Sequence, residues 1–196
     1  MARLRHTTPD KALRLVVPVI LAVIAVQGIA LAADSPSLAG RGLALTGLDG
    51  KRVPLDTLLA SGPVVINFWA TWCGPCRVEL PQLQKVYQEM EGKGVTFAAV
   101  SLDRGMKRDV LENFLKGRSI ALPVYRDESG SLAKVFGVSA IPATFVLAAD
   151  GKVAFQSRGY RPGDEVLLRK KIEEALASAG KAGEEAEAKD DKQDKN

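Results

Sequence analysis

Two cysteines stand two residues apart in the stretch NFWATWCGPCRVELP, Asn67 to Pro81, and the chain has no others. At this spacing two thiols can shuttle between dithiol and disulfide, hold a soft metal ion, or cross-link the chain. Cross-linking is a poor fit, because a C-x-x-C loop is too short to restrain much of the unfolded chain. A cysteine hydrolase needs a base beside its nucleophile, and the single histidine is His6, far upstream near the N-terminus. A structural zinc site needs four ligands, more than two cysteines without histidine supply. Two thiolates suffice for Cu(I), although no methionine cluster or histidine accompanies them. Peroxide reduction through one cysteine also stays open. Dithiol–disulfide exchange makes the fullest use of the pair.

That chemistry needs the pair at a helix start. The run VVINFWA, Val64 to Ala70, is β-branched and aromatic, with apolar residues of both parities, as in a strand covered on both faces. After the cysteines, Leu80, Leu83, Val86, Tyr87 and Met90 recur at helical spacing, with Pro81 placed to kink the helix. Cys73 then sits at a helix N-terminus. Unpaired N–H groups and the positive end of the dipole there favour thiolate over thiol. Cys73 is therefore the expected nucleophile, and Cys76, one turn further in, the more buried resolving thiol. Gly74 and Pro75 complete the tight start, where a missing N–H costs nothing. Trp72 is placed to shield the cysteines and offer an apolar docking surface. Arg77 reads as a solvated charge.

Along the rest of the chain, LALTGLDGKRVPL carries strand-like stretches around the turn signal Asp49-Gly50. Asp56 is a capping candidate for a short helix, Thr57 to Ala60. Further segments predict a strand over Val95 to Leu102, an amphipathic helix over Arg108 to Lys116 with Val110, Leu111, Phe114 and Leu115 on one side, a short strand within ALPVYRD, and a helix over Ser131 to Phe136. Strands over Thr144 to Ala148 and Val153 to Gln156 meet at Asp150-Gly151. A last helix, from Asp164 to Ala179, carries the stripe Val166, Leu167, Ile172, Ala175 and Leu176. Alternating strands and helices closed by a hairpin and a helix predict an α/β architecture, a mixed central sheet flanked by helices.

The ends read differently. A basic start leads into LVVPVILAVIAV, Leu15 to Val26, and then ALA at Ala30 to Ala32, the layout of a secretory signal peptide over residues 1–33. The longer run Leu15 to Ala33 is also just long enough to anchor in a membrane. Either way the domain is expected to be exported, periplasmic or extracytoplasmic, with the positive residues left inside. It is soluble after cleavage near Ala32, or held by the uncleaved segment. Residues 34–42 read as a linker, 43–180 as the domain, and 181–196 as a disordered charged tail. The formal charge of +4 is carried mostly by Arg3, Arg5, Lys11 and Arg14. The remainder is close to neutral and lacks a basic patch with interleaved aromatics, which argues against nucleic acid.

The segment SAIPATF adds a second signal, an Ile141-Pro142 bond just ahead of a strand, where a cis proline can sit. Ile141 would then present its backbone opposite Cys73 to an extended substrate. Together, NFWATWCGPCRVELP and GVSAIPATFVLAADGKV resemble the thioredoxin-like superfamily, and most closely its exported TlpA/ResA branch, which includes the cytochrome c maturation thioredoxins. The likeness runs from about Leu43 to Ala179. The leader, the N-terminal β-hairpin and the inserted strand–helix element point to that branch. Thioredoxins carry a buried acid where this chain has Asn67, which cannot shuttle protons. The branch instead has a glutamate three residues after the second cysteine, here Glu79, and the resemblance gives it proton transfer at Cys76. Without that role, Glu79 reads as a first-turn acid favoured by the helix dipole. The resemblance further implies a reductant needing no cofactor or metal and recharged by a membrane thiol donor. Apocytochrome c or a copper-site protein would be its disulfide substrate. A disulfide oxidant or isomerase and a Cu(I)-binding metallochaperone are the alternatives.

Overall fold

The computed structural model describes residues 36–193. The signal-peptide or anchor reading over residues 1–33 lies outside them. Strands β1 (Ala44–Gly47), β2 (Arg52–Pro54), β3 (Val64–Trp69), β4 (Thr96–Ser101), β5 (Val124–Arg126), β6 (Ala143–Leu147) and β7 (Val153–Arg158) form one mixed sheet in the order β2-β1-β5-β4-β3-β6-β7. β3 and β5 run parallel to β4, while β6 runs antiparallel to β3 and β7 to β6. The helices are α1 (Leu55–Leu59), α2 (Gly74–Met90), α3 (Arg108–Lys116), α4 (Ser131–Val135) and α5 (Asp164–Gln193).

All six residues of β3 are buried, and the period-2 alternation of a strand divides them between two cores. Val65 and Trp69 pack with Leu80, Leu83 and Val86 of α2, Leu111 of α3 and Ile172 of α5. Val64, Ile66 and Phe68 pack with Leu55 and Leu59 of α1, Leu132 of α4 and Phe145 of β6. Asn67 shares the parity of Val65 and Trp69, so its amide is carried to the α2 side. α2 runs through Pro81 as a single helix. The inserted element is tied to α2 by Gln84, a buried polar residue whose Oε1 accepts from the backbone N–H groups of Ala121 at 2.7 Å and Leu122 at 2.9 Å.

Several elements depart from the sequence reading. The predicted linker is part of the fold: Leu38 is buried in the α1-side core, and its N–H donates to the carbonyl of Gly151 at 2.9 Å. Composition alone hid this, since a lone leucine among small residues carries no periodicity. Asp56 is not a cap. It lies inside α1, which starts after Pro54, and its Oδ1 instead accepts from Gly40 N–H. The stripe of α5 is rotated by about one position. Leu168, Ile172 and Ala175 are buried, whereas Val166 and Leu167 are exposed, as is much of Val110 on α3. The backbone of 181–193, read as a disordered tail, continues α5 as helix. Ala, Glu and Lys, the residues that dominate it, have high helix propensity, and a helix already nucleated by a packed segment adds turns without a new nucleus.

Candidate active site

β3 ends at Trp69, and the chain turns through Ala70, Thr71 and Trp72 into Cys73, the N-cap of α2. The turn is held by one carboxylate. Asp103, buried just after β4, accepts from Thr71 N–H at 3.0 Å, Thr71 Oγ1 at 2.7 Å and Ser101 Oγ at 2.8 Å. Thr71 lies two residues ahead of Cys73, so Asp103 fixes the approach of the active-site loop. An Asp103→Ala variant orphans three donors and is expected to lose roughly 2–3 kcal/mol of stability. Urea unfolding measures this, and hydrogen exchange at the Thr71 amide should quicken.

Cys73 and Cys76 are joined in a disulfide. Cys73 is nearly buried, Cys76 fully so, the order expected of an attacking and a resolving thiol. The N–H of Cys76 donates to Cys73 Sγ at 3.2 Å. This free N–H of the first helical turn is the group that would stabilise a thiolate at that atom. Gly74 and Pro75 form the exposed first two positions of α2. A Cβ at Gly74 would meet no atom within 4 Å apart from its chain neighbours and its own helix backbone, so no packing clash requires the glycine. Trp72 is 70% exposed. It borders a groove of about 530 Å³ with Leu102, Arg104 and Met106.

The Ile141-Pro142 bond is cis. The carbonyl oxygen of Ile141 lies 3.7 Å from Cys73 Sγ. A disulfide sulfur has no proton to donate, so this is a contact now and a potential S–H···O bond in the reduced form.

Behind the cysteines lies a buried polar triad. Glu79 is on the inner face of α2, one turn beyond Cys76. Asn67 of β3 and Thr144 of β6 are opposite one another in the sheet register. Asn67 Nδ2 donates to Glu79 Oε2 at 2.8 Å and to Thr144 Oγ1 at 2.9 Å, and Thr144 Oγ1 donates to Glu79 Oε1 at 3.0 Å. Burial raises the carboxyl from 4.5 to about 7 against the opposing pull of these two hydrogen bonds, with the charge of Asp164 adding to the rise. Asn67 Oδ1 is buried without a partner. In the sequence Glu79 is singled out by the resemblance to the TlpA/ResA branch, which has a glutamate three residues after the second cysteine. Thr144 and Asp103 were missed, because their partners are 65 and 32 residues away. Strand parity was the one available hint for Thr144. Among the described residues no group of three or more metal-ligating side chains occurs.

Comparisons with known proteins agree with this geometry. The profile of the AhpC/TSA family matches residues 40–156. The thiol-disulfide oxidoreductase ResA of Bacillus thuringiensis subsp. konkukian (strain 97-27) is 33% identical over 123 residues, 62% of this chain and 69% of that protein. The sporulation thiol-disulfide oxidoreductase A of Bacillus subtilis (strain 168) is 32% identical over 90 residues, 45% of this chain and 54% of its own. Among solved structures, a thiol:disulfide interchange protein of the thioredoxin family from Chlorobium tepidum TLS superposes with a TM-score of 0.57 at 26% identity, covering 72% of this chain and 94% of that one.

Proposed function

Since the chain belongs to the AhpC/TSA family and is a thiol–disulfide oxidoreductase of thioredoxin-like fold, we propose that it works outside the cytoplasm as a reductant of protein disulfides. The observation that carries this reading is the pair itself: an N-cap sulfur beside the Ile141 carbonyl, and a fully buried second sulfur beneath it. A single-cysteine peroxide site would leave Cys76 without a task.

In the forward direction the Cys73 thiolate attacks one sulfur of the client disulfide. A mixed disulfide forms and the other client sulfur leaves as thiolate, to be protonated by solvent. The client segment lies against Ile141 and Pro142, its backbone pairing with that of Ile141. Trp72, Leu102 and Met106 offer it apolar contact. Glu79 then takes the Cys76 proton, and the Cys76 thiolate attacks Cys73 Sγ. The second client sulfur departs, leaving a reduced client and an oxidised enzyme, two electrons having moved. A carboxyl near pH 7 is matched to this task, since it is populated in both protonation states at neutral pH. The Gly74-Pro75 dipeptide matches that of reducing thioredoxins, which favours reduction over oxidation. Apocytochrome c cysteines or the cysteines of a copper site fit as clients, with a membrane thiol donor restoring the dithiol. Export would be directed by residues 1–33.

The midpoint potential, measured against dithiothreitol redox buffers with metals chelated, tests the direction. A value near the thioredoxin figure of about −270 mV supports it, and one near about −120 mV makes the protein a disulfide donor.

A further inference from the structure

Glu79 raises a problem of access. The proton it takes from Cys76 must leave while the client is still bound over Cys73, and neither cysteine offers a wet path, Cys76 being fully buried. A second opening exists. A cavity of about 20 Å³ is walled by Glu79 and Thr144 at its inner end and by Ser157, Tyr160, Asp164 and Glu165 toward the surface. None of Trp72, Cys73, Cys76, Ile141 or Pro142 lines it. Its size just exceeds the roughly 10–15 Å³ needed for one water, and its walls supply the two to four polar partners a buried water requires. Burial falls outward along it, from Glu79 and Thr144, which are buried, through Tyr160 and Glu165, to exposed Asp164.

We propose that this cavity is the proton port of the active site: one water in it links the Glu79 carboxyl to the Tyr160 hydroxyl, and Glu165 and Asp164 pass the proton to bulk solvent. This rests on the reading of Glu79 as the group that deprotonates Cys76. The Tyr160 hydroxyl already donates to Glu165 Oε2 at 2.9 Å. In one step the Glu79 proton passes to the water, the water gives one to the Tyr160 oxygen, and Tyr160 gives its own to the Glu165 carboxylate, which releases it. No charge is left on the phenol, which suits a tyrosine whose ionisation is pushed up by desolvation and by its bond to Glu165. The polar groups that line the cavity with Glu79 are Gln82 from α2, Thr144 from β6, Ser157 from β7, Tyr160 from the following loop, and Asp164 and Glu165 from α5, while Asn67 from β3 bonds to the carboxylate directly. No lysine or arginine lines the cavity itself, whereas Arg158 and Arg161 border the surface pocket that shares Tyr160 and Asp164 with it. Arg169 acts electrostatically on Glu165 and helps hold it ionised as the acceptor.

Tyr160→Phe removes the relay hydroxyl, and Ser157→Val fills the cavity with a residue that suits a strand. Both are made in the full chain. Resolution of a mixed disulfide between Cys73 and a cysteine peptide is followed by rapid quench in H₂O and D₂O, with Glu79→Gln as reference. Both variants are expected to slow resolution roughly tenfold, less than the 10²–10⁴ of losing an acid–base group outright. The solvent isotope effect should rise and the midpoint potential stay unchanged, whereas a structural disturbance would move the potential. Parental rates in both variants with a slow Glu79→Gln would overturn the port and leave the Glu79 role standing. A parental rate in Glu79→Gln itself would overturn that role and the port with it.

Discussion

A Cys73→Ser variant is expected to lose disulfide reduction by roughly three orders of magnitude or more, the scale on which removing a nucleophile acts. Its partner variant, Cys76→Ser, should fail differently. It keeps the N-cap sulfur, the Ile141 carbonyl opposite and the free N–H at residue 76, so the first attack proceeds. Resolution does not, and the mixed disulfide with the client accumulates. Non-reducing electrophoresis and intact mass show the adduct. In extracts of exported proteins, the trapped species identifies the clients directly. Equal turnover by Cys76→Ser and the parent would mean that a single thiol suffices, and the two-sulfur cycle would be wrong.

Glu79→Gln should reshape the stability of the oxidised protein as a function of pH. The carboxyl has a value of about 7 in the folded chain against 4.5 ordinarily, chiefly through burial. Below about pH 4.5 it is protonated in both states and costs nothing. Between 4.5 and 7 the folded chain holds a proton that the unfolded chain has released, so stability falls as pH rises. Above 7 the full loss, on the order of 3 kcal/mol, has been incurred. Glutamine has no such dependence. The variant's urea midpoint should therefore stay nearly flat from pH 5 to pH 8 and exceed the parent's at pH 8, while resolution of client disulfides slows by about 10²-fold or more. Parallel pH curves for the two proteins would remove Glu79 as the source. A gain in stability with a loss of rate is the pattern expected where a site is kept costly for its chemistry.

The parts of this molecule legible from sequence are those written locally. The buried strand before the cysteines, the helix after them, the Asp49-Gly50 and Asp150-Gly151 hairpins and the Arg108–Lys116 helix all follow from period, turn chemistry and stop signals within a few residues. What could not be read depends on partners far along the chain. Thr144 faces Glu79 only because β6 enters beside β3 in one register, and Gln84 looks like an ordinary surface glutamine until the inserted element brings two backbone amides to it. The stripe on α5 was misplaced for a related reason. Val166, Leu167 and Leu168 are equivalent as letters, and only the angle at which the helix meets the sheet selects Leu168. Asn67 was recognised as unable to carry a proton, but its place as the donor that joins Glu79 to Thr144 was visible only in three dimensions.

The clasp between Leu38 and Gly151 sets where the first described residues lie relative to the sulfurs. β6 runs from Ala143, beside the cis bond and Cys73, to Leu147, and the turn at Gly151 lies beyond that far end. Leu38 is therefore fastened at the end of the sheet remote from the sulfurs. The first described residues of the domain and its disulfide thus lie at opposite ends of β6. The hydrogen bond and the buried leucine close the chain over the β6–β7 turn, so loosening this clasp would open the domain at the end away from the sulfurs and leave the register of Asn67 and Thr144 to the strands themselves.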